Sequence, residues 1–291
     1  MFEAGGPGGL SDIIGRGIAQ GIAPALGQPV VVENRVGSNG VLGTDACAKG
    51  APDGHTNCVL SNSYLSMNPF QYAKLPYDPV RDFVPAINVG FVGGLIVAHP
   101  GLPANSVREV VDMVRSKPGL FNWATWGSGS FAHLTVALLE SGTGIAFNQV
   151  PYKAPAAALA AVMSGESHLT QNNPRVMLPL IKAGKVRAIG VTGRQRVTNL
   201  PEVPTLDEQG LTGLNFTSWN ALYAPAGTPQ NIVQLLSKEL QKILSNPETR
   251  RRIEATGCVT RPGTSDALIK LTWSEYETYK RMGAESGIQL D

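Results

Sequence analysis

The chain has 291 residues, enough for one large or two medium domains, and 43% hydrophobic with 16% charged residues excludes a disordered segment. A net charge of +2, with no basic block beyond short runs such as Arg251-Arg252, excludes a nucleic-acid surface or a polybasic membrane contact. Small molecules and proteins remain as partners. No run of about 18 apolar residues occurs, and no basic segment with an apolar stretch opens the chain, so taken alone it reads as neither exported nor membrane-anchored.

The opening M-F-E-A-G-G-P-G-G-L-S-D is a glycine-rich loop that feeds a helix, with Ile13, Ile14, Ile18 and Ile22 at helical spacing and Ser11 or Asp12 as its N-cap. Q-P-V-V-V-E-N (28–34) reads as a strand, residues 42–49 as a helix, and N-C-V-L-S (57–61) as a second strand after the turn P-D-G-H-T. An apolar strand over 92–97 leads into the Pro/Gly-bounded A-H-P-G-L-P-A-N-S (98–106), followed by a helix over 107–116. A second segment with strand and turn character spans 217–229, and the remainder is mostly helical, with Pro247 starting one helix and Gly257 ending it. Short strands alternating with helices predict an α/β architecture with largely parallel sheets. The two Pro/Gly segments predict domain crossings, hence a discontinuous domain of residues 1–99 plus 222–291 and a continuous one of residues 100–221.

Cys47, Cys58 and Cys258 show no C-x-x-C spacing and are expected as buried free thiols rather than a Cys47–Cys58 bridge. His55, His99, His133 and His168 are scattered, so neither a metal site nor a cofactor is expected.

Two Gly/Ser loops each precede a helix: P-G-G-L-S-D (7–12) and G-S-G-S (127–130). A helix start leaves four N–H groups unpaired and carries partial positive charge, so each loop is either a plain capped turn or a seat for an anion. G-S-G-S is not G-x-S-x-G, and His133 sits one helical turn after Ser130, poorly placed as its general base. The first loop lacks the Gly-Lys-Ser/Thr ending of a P-loop, and no G-x-G-x-x-G is followed by an acidic residue at dinucleotide spacing.

Over nearly its whole length the sequence resembles the periplasmic solute receptors of tripartite tricarboxylate transporters, the Bug family. The resemblance is carried by P-G-G-x-x-D (7–12), G-Q-P-V-V-V-E-N-R-x-G (27–37), A-K-G-A-P-D-G-H-T (48–56), M-N-P (67–69) and L-P-Y-D-P-x-x-D-F (75–83). It continues through G-S-G-S-x-x-H-L (127–134), V-P-Y-K (150–153), I-K-A-G-K-V-R-A-I-G-V-T (181–192), L-P-E-V-P-T-L-D-E-Q-G (200–210) and A-P-A-G-T-P (224–229). The resemblance implies an α/β two-domain periplasmic-binding-protein fold, a type II-like Venus flytrap, with hinge strands near 97–102 and 217–224. It implies a monomeric, non-enzymatic, periplasmic receptor that closes on a small organic carboxylate, an aromatic acid or a di- or tricarboxylate, and delivers it to a membrane permease. The ligand's carboxylate would be held by Gly8, Gly9 and Ser11 and by Gly127, Ser128, Gly129 and Ser130. Ser63, Tyr64, Asn172 and Asn173 are further candidates, and Trp126 and Phe131 would either stack on the ligand or pack in the core.

The chain departs from the family in two further places. M-F-E-A-G-G stands where the family has an apolar strand, so that strand is either trimmed or degenerate. G-E-S-H-L-T-Q-N-N (165–173) has His168 and Asn172 where aspartates are common, which disfavours amino-acid ligands. A small-molecule hydrolase using the same cleft, or a ligand-sensing subunit for a signalling partner, are the alternative functions.

Overall fold

The computed structural model describes residues 2–3, 7, 10–126 and 130–286, with residues 2–3 and 281–286 by backbone alone. In chain order the elements are β1 (Phe2–Glu3), α1 (Leu10–Leu26), β2 (Glu33–Asn34), α2 (Val41–Ala48), β3 (Cys58–Ser61), a π-helical turn (Ser63–Met67), α3 (Asn68–Gln71) and β4 (Phe83–Gly93). Then come β5 (Leu95–Ala98), α4 (Val107–Ser116), β6 (Asn122–Thr125), α5 (Phe131–Thr143), β7 (Asn148–Pro151), α6 (Pro155–Ser164), β8 (Leu169–Asn172), α7 (Pro174–Lys182) and β9 (Arg187–Val191). The chain finishes with β10 (Thr217–Pro225), α8 (Gln230–Ser245), α9 (Pro247–Glu254), β11 (Val259–Gly263) and α10 (Ser265–Ser286). No helix among the described residues is long and apolar enough to cross a membrane.

The chain divides into two compact units, Met1–Phe91 with Ser218–Asp291 and Val92–Thr217. In the first unit six strands lie in the order β11-β4-β10-β3-β1-β2. Phe2 and Glu3 pair in parallel with Glu33–Asn34 on one side and with Cys58–Val59 on the other, so the strand position held by M-F-E is filled after all. β10 runs antiparallel to β3, and β11 antiparallel to β4. One face of the sheet is covered by α1, whose Ile14, Ile18 and Ile22 are buried at helical spacing. The core also contains Leu60, Leu65, Phe83, Trp219 and Tyr223.

The second unit has five strands in the order β7-β6-β8-β5-β9, with β6 parallel to β7 and β8, and β5 antiparallel to β8 and β9. Both sheets are therefore mixed rather than largely parallel. The chain passes between units within β4, after Phe91, and at the start of β10, after Thr217. Successive residues of β5 point to opposite faces. Ile96 and Ala98 join Trp123, Leu169 and the valines of α4, while Leu95 and Val97 join Ala124, Leu159, Val162 and Met177. Helices thus cover both faces of this sheet. α4 shows how locally its structure is set: Ser106 accepts a hydrogen bond from the Glu109 N–H, and Val107, Val110, Val111 and Val114 are buried. Each buried valine contributes on the order of 1.5 kcal/mol or more.

Two local expectations change. The strand expected over 92–97 is broken at Gly94, where a Cβ would stand 1.5 Å from the Gln171 side-chain nitrogen. Leu95–Ala98, expected before a crossing, is hydrogen-bonded on both edges to strands of the second unit. The cysteines change as well: Cys47 and Cys58 form a disulfide with Cα atoms 6.1 Å apart, and only Cys258 is free and buried. The packing of α2 against β3 brings together two fully buried sulfurs that the sequence separates by 11 positions.

Candidate functional site

In the first unit the candidate residues gather at the start of α1 and the carboxyl end of β3. Gly8 and Gly9 lie outside the described residues. Ser11 sits in the first turn of α1 rather than capping it, and its hydroxyl donates to Asn220 Oδ1 of β10 at 2.8 Å. Asp12 is the buried carboxylate of that turn, placed where the helix dipole favours negative charge; it accepts from Asn34 Nδ2 at 2.9 Å and pairs with Arg16 at 3.0 Å.

Beyond β3, Ser63 and Tyr64 open the π-helical turn. The Tyr64 ring lies over Gly40, where a Cβ would meet it at 2.2 Å and where φ is +82°, so that position needs glycine. Asn62, fully buried just ahead of them, accepts from the Ser218 hydroxyl at 3.0 Å and the Trp219 N–H at 3.4 Å. The Trp219 indole donates to Glu275 of α10 at 2.8 Å. Burial pushes the Glu275 carboxyl up to about 8, against the opposing effect of hydrogen bonds with Trp219 and Asn62. Asn62, Asn220 and Glu275 were not singled out in the sequence because each acts through partners far away along the chain.

In the second unit α5 and α7 both begin at the carboxyl ends of the parallel strands β6 and β8, the edge at which open α/β sheets bind ligands. Gly127, Ser128 and Gly129 lie outside the described residues. Ser130 is the N-cap of α5, accepting from the His133 N–H at 3.2 Å. Burial lowers the His133 pKa. Phe131 packs its ring 4.2 Å from that of Phe216, and the half-buried Trp126 lies against the cluster containing Leu95, Val97 and Met177. Asn172 Oδ1 accepts from the Asn173 N–H at 2.7 Å, and Asn173 caps α7 by accepting from the Arg175 N–H at 2.9 Å.

Between these residues lies one that sequence reasoning missed. Gln171, 1% exposed, is the penultimate residue of β8, and its side-chain oxygen is buried with no hydrogen-bond partner. A glutamine inside L-T-Q-N was the only sequence signal, and without burial it reads as an ordinary strand residue. Among the described residues no group of three or more His, Cys, Asp and Glu is placed to hold a metal ion. An open depression of about 690 Å³ on the first unit is lined by Pro69, Tyr72, Tyr77, Arg81 and Tyr276 among others, and includes none of the candidate residues.

The model of the family described as tripartite tricarboxylate transporter family receptor matches residues 14–287. Protein BugT of Bordetella pertussis is 33% identical over 285 residues, spanning 98% of this chain and 87% of its own length. The structure of Rpa4515 from R. palustris with adipate is similar at 29% identity and TM-score 0.83, over 99% of this chain and 97% of that one. MatC (Rpa3494) from Rhodopseudomonas palustris with bound malate is 28% identical at TM-score 0.77, over 97% of both chains. The fold is that of the periplasmic binding proteins, to which receptors of this family belong. The chain belongs to the receptor family of the tripartite tricarboxylate transporters.

Proposed function

We propose that this chain is a periplasmic, monomeric receptor that binds a small organic carboxylate, a di- or tricarboxylate or an aromatic acid, and hands it unchanged to a membrane permease. The observation that carries this reading is that two similar receptors, matched over 97% or more of this chain, hold the dicarboxylates adipate and malate. The chemistry of the two helix starts supports it. Unpaired N–H groups and dipole charge at the starts of α1 and α5 favour an anion, and each start carries a serine hydroxyl.

We assign one carboxylate seat to Gly8, Gly9 and Ser11 and another to Gly127, Ser128, Gly129 and Ser130. Ser63, Tyr64, Trp126, Phe131, Asn172 and Asn173 are assigned as their flanks. The two lobes are the discontinuous and continuous domains, with hinge segments near 97–102 and 217–224. The buried Cys47–Cys58 disulfide supports an oxidising compartment such as the periplasm. Against a hydrolase stands the use of the Ser130 oxygen as a helix cap, which leaves it bonded to a backbone N–H rather than aligned on an imidazole.

A thermal-shift screen of adipate, malate, citrate and benzoate tests the reading. Specific binding at a hundred times Kd adds about 2.7 kcal/mol to the folded state and raises Tm accordingly. No shift with any carboxylate, together with shifts from sugars or cations, overturns it.

A further inference from the structure

We propose that His168 is an acid-sensitive latch of the second unit: as a neutral ring it pins the start of β6 to the start of β8, and protonation releases that hold. The latch goes beyond the carboxylate reading above, and only its effect on binding rests on that reading.

His168 stands immediately before β8, and its backbone N–H donates to the Asn122 carbonyl at 3.0 Å. Its ring Nδ1 accepts from the Asn122 N–H, also at 3.0 Å, so both backbone groups of the first residue of β6 are bonded to His168. An imidazole nitrogen accepts only while it carries no proton. The imidazolium has an N–H at both positions, so protonation at Nδ1 sets one donor against another. Turning the ring over is no remedy, because it places the Cδ2–H against the same N–H. The ring is also packed edge-on to Phe121, with centroids 5.5 Å apart.

The surroundings disfavour the charged ring. Burial, and then the neighbouring His99, lower its pKa. His99 follows β5, donates its backbone N–H to the His168 carbonyl at 2.9 Å, and accepts at its own Nδ1 from the Gly101 N–H at 3.0 Å. Glu166 is bonded to the Tyr152 hydroxyl at 2.8 Å and does not act on the ring as a counter-charge. On the far side of β5, Arg187 adds a positive charge, donating to the Leu102 and Ala104 carbonyls. β6 and β8 pair at Trp123–Leu169, the residues directly after the latch. Their other ends lead to residues 127–130 and to Asn172 and Asn173, so release at one edge loosens the strands that position the candidate loops at the other.

His168→Asn supplies the test, since the amide oxygen of this variant takes the place of Nδ1 and accepts at every pH. Between pH 7.5 and 5.0 the wild type is expected to lose about tenfold in its folding constant relative to His168→Asn, read from urea denaturation. The Asn122 N–H is expected to lose protection from hydrogen exchange by the same comparison. His133 and Glu275 titrate in both proteins and cancel. His168→Phe, which leaves the Asn122 N–H unpaired at every pH, is expected to be less stable than the wild type at pH 7.5 and to follow the pH profile of His168→Asn. The ratio of wild-type to His168→Asn affinity for adipate, in which the ligand's own protonation cancels, is expected to fall several-fold over the same range. Parallel pH profiles of wild type and His168→Asn, or equal Asn122 exchange in the two, overturn the latch. A released latch with a constant affinity ratio overturns its control of binding. Failure of both proteins to bind adipate at pH 7.5 also overturns that control and counts against the carboxylate reading, while the stability comparison still decides the latch.

Discussion

The two units are braced in different ways. In the first, Asn62, Ser218, Trp219 and Glu275 form a connected set of hydrogen bonds, and a disulfide ties α2 to β3 beside it. The second unit has no cysteine at all; helices on both sheet faces hold it, with the valines of α4 on one face and Ala158, Leu159, Val162 and Met177 on the other. Satisfied networks rigidify the structure around them, and a disulfide adds a covalent brace to the first. The first unit is accordingly a cross-linked platform, whereas the second is held by apolar packing on both faces of its sheet.

The largest test of that contrast removes the cross-link. Cys47→Ala with Cys58→Ala opens a loop of 11 positions and is expected to lower stability by about 2–3 kcal/mol, read from urea denaturation. An unchanged midpoint would mean that the disulfide does not brace the platform.

Next in size is the proton on Glu275. Its pKa rises from 4.5 to about 8 on folding, so the fold binds that proton more tightly than the unfolded chain does. The resulting stabilisation is complete below pH 4.5 and is lost as pH rises through 8. Between pH 6.5 and 8.5 the loss is about 2 kcal/mol. Burial pushes the nearby Tyr223 and Tyr279 hydroxyls well up, so they stay neutral across this window, while the lowered pKa values of His133 and His168 make stability rise with pH and so cannot produce this slope. Glu275→Gln should flatten the slope, and a slope retained in that variant would assign it to another group.

The smallest effect separates a cap from a seat. Ser106→Ala and Ser130→Ala each remove an N-cap in the second unit and should each lower stability by about 1 kcal/mol. Only Ser130→Ala is expected to weaken carboxylate binding as well. Equal affinities in the two variants would make Ser130 a cap and nothing more.

Much of this molecule was legible one turn at a time. The helix expected over 107–116 has those bounds in α4, where the Ser106 cap and the valine spacing are local features that act within a few residues. The helix starting at Pro247 and the positive-φ Gly257 beyond it are local in the same way. The Tyr64 and Phe131 rings were harder to place, since whether a ring faces a ligand or the core depends on what the fold brings opposite it: Gly40 in one case and Phe216 in the other.

The sequence by itself determined the family, the α/β class, and the two Gly/Ser helix starts, all of which are written in short contiguous blocks. Only the tertiary structure decided that Phe2–Glu3 fills the gap between β2 and β3, that Cys47 meets Cys58, that Ser11 bonds Asn220 instead of capping its helix, and that the Gln171 carbonyl is buried alone. Each of these depends on residues brought together by sheet order and helix packing. Pairing across such separations leaves no periodic trace in the chain, because the partner is selected by position in space and not by distance along the backbone.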